Sequence, residues 1–451
     1  MREYNVNIPL IGLKTEPHQH DGHIELRNLR PDAHHLTVPG FPAPEWNEQT
    51  RLVKTPHHTF LFQFIDDQSS ATNWFSIVNE SNLTLTQIDT YTDGGELFQV
   101  ADFKDSWIIT NGFTSRAYWE DTVFIIPSLT SVCVRQGRLF CSRCIDGVPE
   151  NVVRWTMAGG EDLSYMLAQT AVPATLAQNN EAGTATMPWP GEVRCIKLLG
   201  DHVAVYGANG ISVLRQTEHG FMFAPIIGLP VGLGIWGRAA VAGGDDDQHV
   251  FRGTDGNLWV LTPDLQIQKL GYGWALGTKH ICSFDPLRRE YWISDKEEAY
   301  VLTEHGLGGP IQRAVTSVIH INGEPVVTGT EYPEDMEYLL HTDTFDMRQN
   351  GQKRVTLVNL NGQFGQAHVG MRMRYDTDSD WRERPDVRCS PEGAAHVLTN
   401  FTYGQLRIRA ACAPADRLTR IETRYQAHDR RFVRGTRAIG TTERADDEDQ
   451  T

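Results

Sequence analysis

The tripeptide Val260-Leu261-Thr262 is repeated almost unchanged as Val213-Leu214-Arg215 and as Val301-Leu302-Thr303. The first two copies are offset by 47 residues and the last two by 41. A period of about 40–50 residues with several strands per unit is typical of β-propellers, in which four-stranded sheets repeat around an axis. The tripeptides therefore predict a propeller and mark its third strands.

Each third strand is preceded by a turn and by a second strand rich in apolar residues. The second strands read Trp107-Ile108-Ile109, Leu139-Phe140-Cys141, Val203-Ala204-Val205-Tyr206, Val250-Phe251, Tyr291-Trp292-Ile293 and Val326-Val327. Asn111-Gly112, Asn209-Gly210 and Asp255-Gly256 follow three of them, and such pairs tolerate the positive φ of a tight reversal. An ordinary β-sandwich is the alternative, but the near-identical third strands favour a propeller of six or seven blades.

The sequence predicts an all-β fold in four parts. Seven prolines and scattered histidines in residues 1–58 indicate an extended arm. Alternating strands around Arg354–Leu360, Met371–Tyr375 and Gln405–Ala410 indicate a small antiparallel domain after the repeats. The predicted parts are the arm 1–58, the propeller 59–343 with an insertion at about 161–190, the antiparallel β domain 344–440 and the acidic tail 441–451.

The charge is unevenly distributed along the chain, whose formal net charge is −16. Asp346–Thr451 carries 18 Lys and Arg against 15 Asp and Glu, so the remaining residues hold a balance of −19. An acidic propeller without a Lys/Arg stripe repels nucleic acid rather than gripping its phosphates. Arg favours bidentate pairs, so we expect the Arg-rich end to make subunit contacts.

No motif predicts catalysis. The Gly-x-Ser-x-Gly elbow and the Walker-type Gly-Lys-Ser/Thr are both absent from the sequence. Cys141-Ser-Arg-Cys144 has no second ligand pair nearby, so the seven cysteines are interpreted as packed thiols. The apolar runs are shorter than a membrane helix requires, and Met1–Asn7 lacks the apolar core of a signal peptide. We therefore expect no enzyme activity, no metal, no cofactor and no membrane binding.

Three sets of residues are the candidate functional positions. Acids that could face a lumen are Asp245, Asp246, Asp247, Glu297 and Glu298, although solvated turns at blade tips are the plainer interpretation. An apolar, Gly-rich loop that could form a gate or a contact contains Leu229, Pro230, Leu233 and Trp236. The candidate subunit-interface residues are Arg417, Arg420, Arg424, Arg430, Arg431 and Arg434.

Four short motifs carry a resemblance to a known family. They are Arg27-Asn-Leu-Arg-Pro31 ahead of the propeller, Gly137-Arg-Leu-Phe140, Asn151-Val-Val-Arg-Trp-Thr156 and Gly210-Ile-Ser-Val-Leu214. Over roughly residues 20–420 their arrangement resembles the tail-hub or nozzle proteins of short-tailed bacteriophages, also called packaged-DNA stabilisation proteins. The resemblance lies in layout and short motifs.

The resemblance implies a structural protein of the virion tail, assembled in the cytoplasm of the bacterial host. It implies a ring, typically a homohexamer, that extends the DNA channel below the portal and its adaptor and retains DNA until ejection. The implied partners are other copies of the chain, the portal and adaptor proteins, distal fibre, spike or needle proteins, and double-stranded DNA as transiting cargo. Family members carry a propeller as a peripheral module and place β domains around the channel.

Two other functions remain open. A propeller glycoside hydrolase needs two carboxylates about 5–10 Å apart, and one blade offers Asp285, Glu290 and Asp295. A glycan-binding tail module or a peptide-reading scaffold needs only an exposed face, and Trp74, Trp119 or Trp189 could stack on sugars there. WD and kelch signatures do not recur at the required period.

Overall fold

The computed structural model describes residues 3–40, 45–47, 49–66, 71–91, 99–103, 106–112, 114–119, 122–142, 149–158, 182–217, 223–225, 232–345 and 351–427. The chain divides into two compact units that are interleaved in sequence. The propeller unit comprises Phe41–Leu302 and Gln312–Tyr332. The second unit, here called the platform unit, comprises Met1–Gly40, Thr303–Ile311 and Pro333–Thr451.

Strands account for nearly all regular structure in the described residues. The first four strands are β1 (Glu3–Ile8), β2 (Glu25–Arg27), β3 (Arg30–Pro31) and β4 (Leu36–Thr37). The strands that follow are β5 (Thr50–Lys54), β6 (Thr59–Asp66), β7 (Ala71–Val78), β8 (Leu85–Tyr91), β9 (Gln99–Phe103), β10 (Ser106–Thr110), β11 (Ser115–Trp119), β12 (Thr122–Ile126), β13 (Val132–Arg135), β14 (Arg138–Ser142), β15 (Val152–Trp155), β16 (Gly183–Thr186), β17 (Val193–Leu199), β18 (His202–Gly207), β19 (Ile211–Gln216), β20 (Phe223–Pro225), β21 (Val241–Ala242), β22 (His249–Arg252), β23 (Leu258–Leu261) and β24 (Ile267–Gly271).

A single helical turn, α1 (Gly273–Leu276), precedes the remaining strands. These are β25 (Ile281–Asp285), β26 (Glu290–Ser294), β27 (Ala299–Thr303), β28 (Gly306–Ile311), β29 (Val315–Ile321), β30 (Glu324–Gly329), β31 (Glu337–His341), β32 (Lys353–Gln363), β33 (Ala367–Arg374), β34 (Arg382–Arg388), β35 (Ala394–Ala395), β36 (Thr399–Phe401), β37 (Tyr403–Ala411) and β38 (Arg417–Ala427).

The propeller prediction is confirmed. Five antiparallel four-stranded sheets follow one another along the chain, in the orders β5–β8, β9–β12, β13–β16, β17–β20 and β21–β24. The first strand of a sheet contacts the first strand of its neighbour at β9 and β13, at β13 and β17, and at β21 and β25. First strands that contact one another in sequence surround the axis of a propeller, and the outermost strands form its rim.

The number of complete four-stranded blades in the described residues is five, so the predicted six or seven is corrected. After these blades the propeller unit contains only the three strands β25–β27 and the hairpin β29–β30. The next strand in sequence, β28, belongs to the platform unit, where it pairs with β2 through Gly309 and Leu26. The repeat in the sequence therefore continues beyond the complete blades.

The last hairpin closes the propeller onto its first blade. Ser317 accepts a hydrogen bond from the backbone N–H of Leu52 at 2.9 Å, and Thr316 donates to the Thr50 carbonyl at 2.9 Å. Trp46, which precedes β5 in the chain, forms a parallel bridge with Thr328 of β30. Residues from both ends of the propeller sequence thus share the closing hairpin.

The platform unit consists of two antiparallel sheets. One has the order β3-β4-β38-β32-β35, with β1 added to β38 and β36 added to β32. The strands of the other that belong to the platform unit have the order β28-β2-β31-β37-β33-β34. In both sheets buried apolar residues alternate with exposed polar ones, as in Val369, Met371 and Met373 of β33, so one face of each sheet supplies the core.

The N-terminal segment is part of this unit rather than an extended arm. β1 pairs along its whole length with β38, and Leu13, Leu26, Leu29 and Leu36 are all buried. Pro31 is the last residue of β3 and Pro39 lies two residues beyond β4, and each of these strands is two residues long. The buried leucines hold residues 3–40 in the platform unit, and the number of prolines gives no indication of that burial. Residues 41–44, most of the predicted insertion and the acidic tail lie outside the described residues.

Candidate functional site

Polar side chains link the first strands around the propeller axis. Ser131, which is fully buried, donates to Gln99 Oε1 at 2.5 Å and accepts the backbone N–H of Ile196 at 2.7 Å. Gln99 also accepts the backbone N–H of Val132 at 3.1 Å. Three consecutive blades are thus joined by side chains that satisfy backbone groups left over by the sheets. This arrangement links the first strands of three blades around the axis.

A second buried pair joins the fourth and fifth blades. The Tyr206 hydroxyl and Nδ1 of His249 share a hydrogen bond of 2.8 Å, and both side chains are fully buried. Burial lowers the pKa of His249 to about 3, because the imidazolium would lose its hydration there. Burial also raises the pKa of the neighbouring Cys195 thiol. These groups are neutral at physiological pH and contribute to packing.

The carboxylates considered for glycoside hydrolysis are not available to a sugar. Asp285 and Glu290 occupy opposite positions of the β25–β26 hairpin, and both side chains are buried. Asp285 Oδ1 accepts the backbone N–H groups of Leu287 and Arg288 at 3.0 and 3.1 Å and lies 2.7 Å from His320 Nε2. Asp285 therefore stabilises the hairpin turn.

The third acid of that group, Asp295, is also committed to local structure. Its carboxylate lies 3.0 Å from Lys279 Nζ and accepts the backbone N–H groups of Glu297 and Glu298 at 2.8 Å. Partial burial favours the neutral acid, but these hydrogen bonds and Lys279 lower the pKa of Asp295 overall. The arrangement of Asp285, Glu290 and Asp295 accordingly offers no pair of free carboxylates flanking a cleft.

The predicted lumen acids occupy two separate turns. Asp245, Asp246 and Asp247 lie between the first and second strands of a blade, β21 and β22, where Asp247 pairs with Arg289 at 3.0 Å. Glu297 and Glu298 lie between the second and third strands, β26 and β27, and Glu298 is 3.4 Å from Lys279. Successive turns of a meander fall at opposite ends of its strands, so the two groups do not share one face.

The predicted contact loop is divided between core and surface. Leu229 and Pro230 lie outside the described residues, and Leu233 is buried among apolar side chains of the fourth and fifth blades. Trp236 is 43% exposed and stacks on Arg252, whose guanidinium carbon is 4.6 Å from the ring centre. The backbone carbonyl of Trp236 accepts Arg194 at 3.1 Å. The indole is thus a fixed, half-exposed surface group.

Arg252 contacts two loops, the one that leads into β21 and the one that leads into β25. Its side chain is buried and donates to the backbone carbonyls of Gly277 and Lys279, in the connection that follows α1. Its own backbone accepts the N–H of Trp236 at 2.9 Å. The sequence analysis did not identify Arg252. The feature that could have identified it is an Arg at the end of an otherwise apolar second strand.

The predicted interface arginines that the structure describes are all on β38. Arg417 is exposed, and Arg420 donates to Asn7 Oδ1 at 3.1 Å and lies 3.6 Å from Glu422. Arg424 is half-buried opposite Asn5 of β1. Arg430, Arg431 and Arg434 lie outside the described residues. The interface role of these six residues stays a prediction.

A larger arginine cluster, which the sequence analysis missed, lies on the polar face of β33, β34 and β37. We call it the paired-arginine face and define it as Arg372, Arg374, Arg407, Arg409, Glu383 and Asp386. Asp386 binds Arg407 at 2.9 Å and Arg409 more closely, while Glu383 lies 3.1 Å from Arg372 and 3.6 Å from Arg407. Partial burial opposes ionisation of Asp386, but the hydrogen bonds from Arg407 and Arg409 lower its pKa overall.

Aromatic side chains extend the paired-arginine face. The guanidinium of Arg374 lies 4.9 Å from the ring centre of Trp381 and 5.3 Å from that of Tyr403. Cation–π contact and carboxylate pairing both occupy guanidinium groups that would otherwise bind anions. The signal in the sequence was the i, i+2 spacing of Arg372 with Arg374 and of Arg407 with Arg409, which places each pair on one face of a strand.

Two negative findings apply to the described ranges. No three His, Cys, Asp or Glu side chains there converge in a way that would hold a metal ion. The one helix in the described ranges is α1, which has four residues. No helix there is long and apolar enough to cross a membrane.

The chain was compared with known proteins. No family model matches it, and no curated protein matches it. Among solved structures, apo AztD from Citrobacter koseri is similar at 9% identity and a TM-score of 0.39, covering 71% of this chain and 90% of that one. A putative 6-phosphogluconolactonase from Bacteroides uniformis is similar at 12% identity and a TM-score of 0.40, covering 69% of this chain and 98% of that one. Similarity at this level carries no statement about function.

Proposed function

We propose that this chain is a structural subunit of a short-tailed bacteriophage tail, which assembles with copies of itself into a ring below the portal and its adaptor. The ring would extend the DNA channel, retain the packaged genome and conduct it on ejection. The four motifs that resemble nozzle proteins motivate the proposal. The division of the chain into a propeller unit and a second β unit supports it.

The observation that carries the proposal is the paired-arginine face. A conduit must let duplex DNA slide, and each phosphate neutralised by a free Lys or Arg adds affinity. Each arginine of the paired-arginine face is matched by Glu383 or Asp386 or lies over an aromatic ring. Such a surface stays hydrated and rigid while offering phosphates few free cations. We therefore assign the paired-arginine face to the channel.

The charge of the propeller unit supports a peripheral place for it. Its sequence holds 19 Lys and Arg against 32 Asp and Glu, a balance of −13, whereas the platform unit has 22 against 25, a balance of −3. A strongly acidic module is repelled by DNA. It is better suited to contacts with other tail proteins, such as the adaptor or the distal fibre, spike or needle proteins.

A glycan-binding tail module is the second candidate, and one observation favours it. Trp236 presents a half-exposed indole that is fixed from beneath by Arg252, and an aromatic plane held in this way stacks on sugar rings at little entropic cost. A glycan array probed with the purified chain and with Trp236→Ala tests this function. Binding that Trp236→Ala abolishes would support it, and absence of binding by the unsubstituted chain would reject it.

Mass photometry and negative-stain microscopy of the purified chain test the ring proposal. The chain is measured over a range of concentrations, alone and with a portal–adaptor assembly. We expect closed rings with a central opening that bind end-on to the adaptor. A chain that stays monomeric at every concentration and ignores the adaptor would contradict the proposal.

A further inference from the structure

The rim of the second blade exposes three consecutive apolar side chains. Val123, Phe124 and Ile125 of β12 are 44%, 46% and 86% exposed. Neighbouring residues of a strand point to opposite faces of the sheet. Three exposed apolar residues in a row therefore mean that neither face of β12 is covered there. Exposed apolar patches of this kind mark interaction sites.

The backbone edge of β12 is also open. It pairs with β11, from Val123 opposite Tyr118 to Ile126 opposite Ser115, and with no other strand among the described residues. The sequence Thr122-Val-Phe-Ile-Ile126 contains no Lys or Pro, the residues that commonly protect an edge from pairing.

The other outermost strands in the described residues expose no run of consecutive apolar side chains. β24 carries Lys269, β20 carries Pro225, and β16 alternates with exposed threonines. β8 begins with an exposed leucine but continues through Thr86 and Gln87. The open edge of β12 is thus a particular feature of the second blade.

We propose that β12 is the docking edge for residues 430–439 of a second copy of this chain, which add to it as a further strand. The inference rests on the proposed ring and names the contact that joins neighbouring subunits. Strand addition would bury the apolar side chains of β12 and satisfy its free backbone groups together.

The sequence of the proposed occupant matches the edge. Residues 430–439 read Arg-Arg-Phe-Val-Arg-Gly-Thr-Arg-Ala-Ile, with two adjacent apolar residues, Phe432 and Val433, among four arginines. Adjacent apolar residues on a strand face both ways, as those of β12 do. At about 3.3 Å per residue the ten residues are roughly twice as long as the five-residue β12.

Charge complementarity favours the same occupant. Glu120 and Asp121 directly precede β12 in the sequence, and the propeller unit as a whole has a balance of −13. The four arginines of residues 430–439 carry the opposite charge, and such complementarity steers association and fixes its direction. Arg430, Arg431 and Arg434, which were predicted to lie at a subunit interface, would then contact the second blade of a neighbouring copy.

Docking of one segment onto a different surface of the next copy is a heterologous contact. Repetition of a heterologous contact gives a ring when the rotation closes. The contact therefore agrees with a ring, whereas pairing of β12 with a second β12 would give a two-fold dimer.

The first test uses the full chain and a variant that ends at Ala427. We expect the full chain to form rings and the shortened chain to remain monomeric, with unchanged thermal unfolding of the propeller. A labelled peptide of residues 428–440 should bind the shortened chain, and Ile125→Asp should weaken that binding at least tenfold. Leu287→Asp, at a residue 63% exposed on the β25–β26 turn, is the matched control and should leave binding unchanged.

The second test identifies the copy that supplies the strand. Ile125→Cys and Val433→Cys are placed on differently tagged chains, mixed and oxidised. A disulfide between the two tags supports the proposal. A disulfide that forms only within a chain carrying both substitutions would overturn it, as would protection of β12 by residues 159–181 of the same chain in limited proteolysis.

The docking edge and the ring are distinguished by the oligomeric state of the two chains. Rings formed equally well by the shortened chain would overturn the docking edge and leave the proposed ring intact. Absence of rings from the unsubstituted chain at any concentration would remove both.

Discussion

The guanidinium carbon of Arg252 lies 4.6 Å from the ring centre of Trp236, while its nitrogens donate to the carbonyls of Gly277 and Lys279. One buried side chain thus supports an exposed indole and ties together the connections that precede the strands β21 and β25. The buried group that needs these hydrogen bonds is the Arg252 guanidinium, because Gly277 is exposed and Lys279 only partly buried.

Arg252→Met should therefore destabilise the propeller unit by about 1.5–3 kcal/mol, since it removes the hydrogen bonds that a buried guanidinium donates to two loop carbonyls. Urea unfolding followed by tryptophan fluorescence measures the change. Arg289→Met is the control, because Arg289 is exposed and pairs only with Asp247 among the contacts described above. It should change stability by no more than about 0.5 kcal/mol. Equal effects of the two substitutions would contradict the supporting role of Arg252.

Ser131→Ala should weaken the junction of the second, third and fourth blades. The buried hydroxyl accepts the Ile196 N–H and donates to Gln99, which also accepts the Val132 N–H. Its loss therefore leaves the buried Ile196 N–H without an acceptor, at a cost of about 1–3 kcal/mol. Ser81→Ala, at an exposed turn residue bonded to Asn79, is the matched control. Hydrogen exchange should accelerate at β13 and β17 in Ser131→Ala alone. Unchanged exchange there would argue against a bridging hydroxyl.

The buried histidines predict a loss of stability in mild acid. Burial lowers the pKa of His23 to about 4 and that of His249 to about 3, below the ordinary value of 6.5. Between these values and pH 6.5, the two histidines bind protons in the unfolded chain but not in the native one. Stability should be fully present above pH 6.5 and fall as the pH drops below it, by about 2 kcal/mol for each residue at pH 5.

Urea unfolding at pH 8 and pH 5 measures this loss. His249→Gln should reduce the difference between the two pH values, whereas replacement of the exposed His18 should leave it unchanged. The carboxylates whose pKa is lowered, such as Asp343 and Asp386, titrate below this window and do not obscure it. An unfolding free energy that stays constant from pH 8 to pH 5 would refute the assignment.

The paired-arginine face predicts that DNA affinity can be created by removing acids. Glu383→Gln with Asp386→Asn frees Arg372, Arg407 and Arg409, so the variant should bind duplex DNA with an affinity that falls steeply as salt rises. Fluorescence anisotropy with a 20-base-pair duplex measures it. Asp378→Asn with Glu392→Gln changes the net charge equally at exposed acids and should not bind. If both variants bind DNA, the change in net charge explains the binding and the paired-arginine face has no special role.

The repeat in the sequence predicted the core of the propeller well. β19 and β27 contain their tripeptides and β23 contains Val260 and Leu261 of the other, and each follows two antiparallel strands in the order of the chain. The positive φ expected at Gly112 and Gly256 is present, at 86° and 81°. These features are local, because strand alternation and turn geometry depend on a few neighbouring residues.

Features that depend on distant contacts could not be predicted in the same way. Gly210 was interpreted as a turn residue, but it is required because the buried indole of Trp189 lies against it, and an added Cβ would fall 2.2 Å from that ring. Trp189 was a candidate sugar platform and is instead packed in the core. The assignment of β28 to the platform unit and the pairing of β1 with β38 also depend on residues far apart in the chain.

Gly210→Ala tests that close approach. The new methyl group would overlap Trp189 and should destabilise the protein by about 2–3 kcal/mol. Gly237→Ala is the control, since its nearest neighbour would be His280 at an ordinary 3.7 Å, and its effect should stay within about 0.5 kcal/mol. Thermal unfolding of both variants decides whether packing or turn geometry requires the glycine.

The central claim is that this chain forms a conduit ring in a virion tail, and labelling of particles tests it most directly. Gold-labelled antibody against the chain is applied to particles from its natural source and imaged by electron microscopy. We predict label on the tail axis just below one capsid vertex, with ring-shaped class averages at that position. Particles that carry no label anywhere, in a preparation where the antibody recognises the purified chain, would contradict the account.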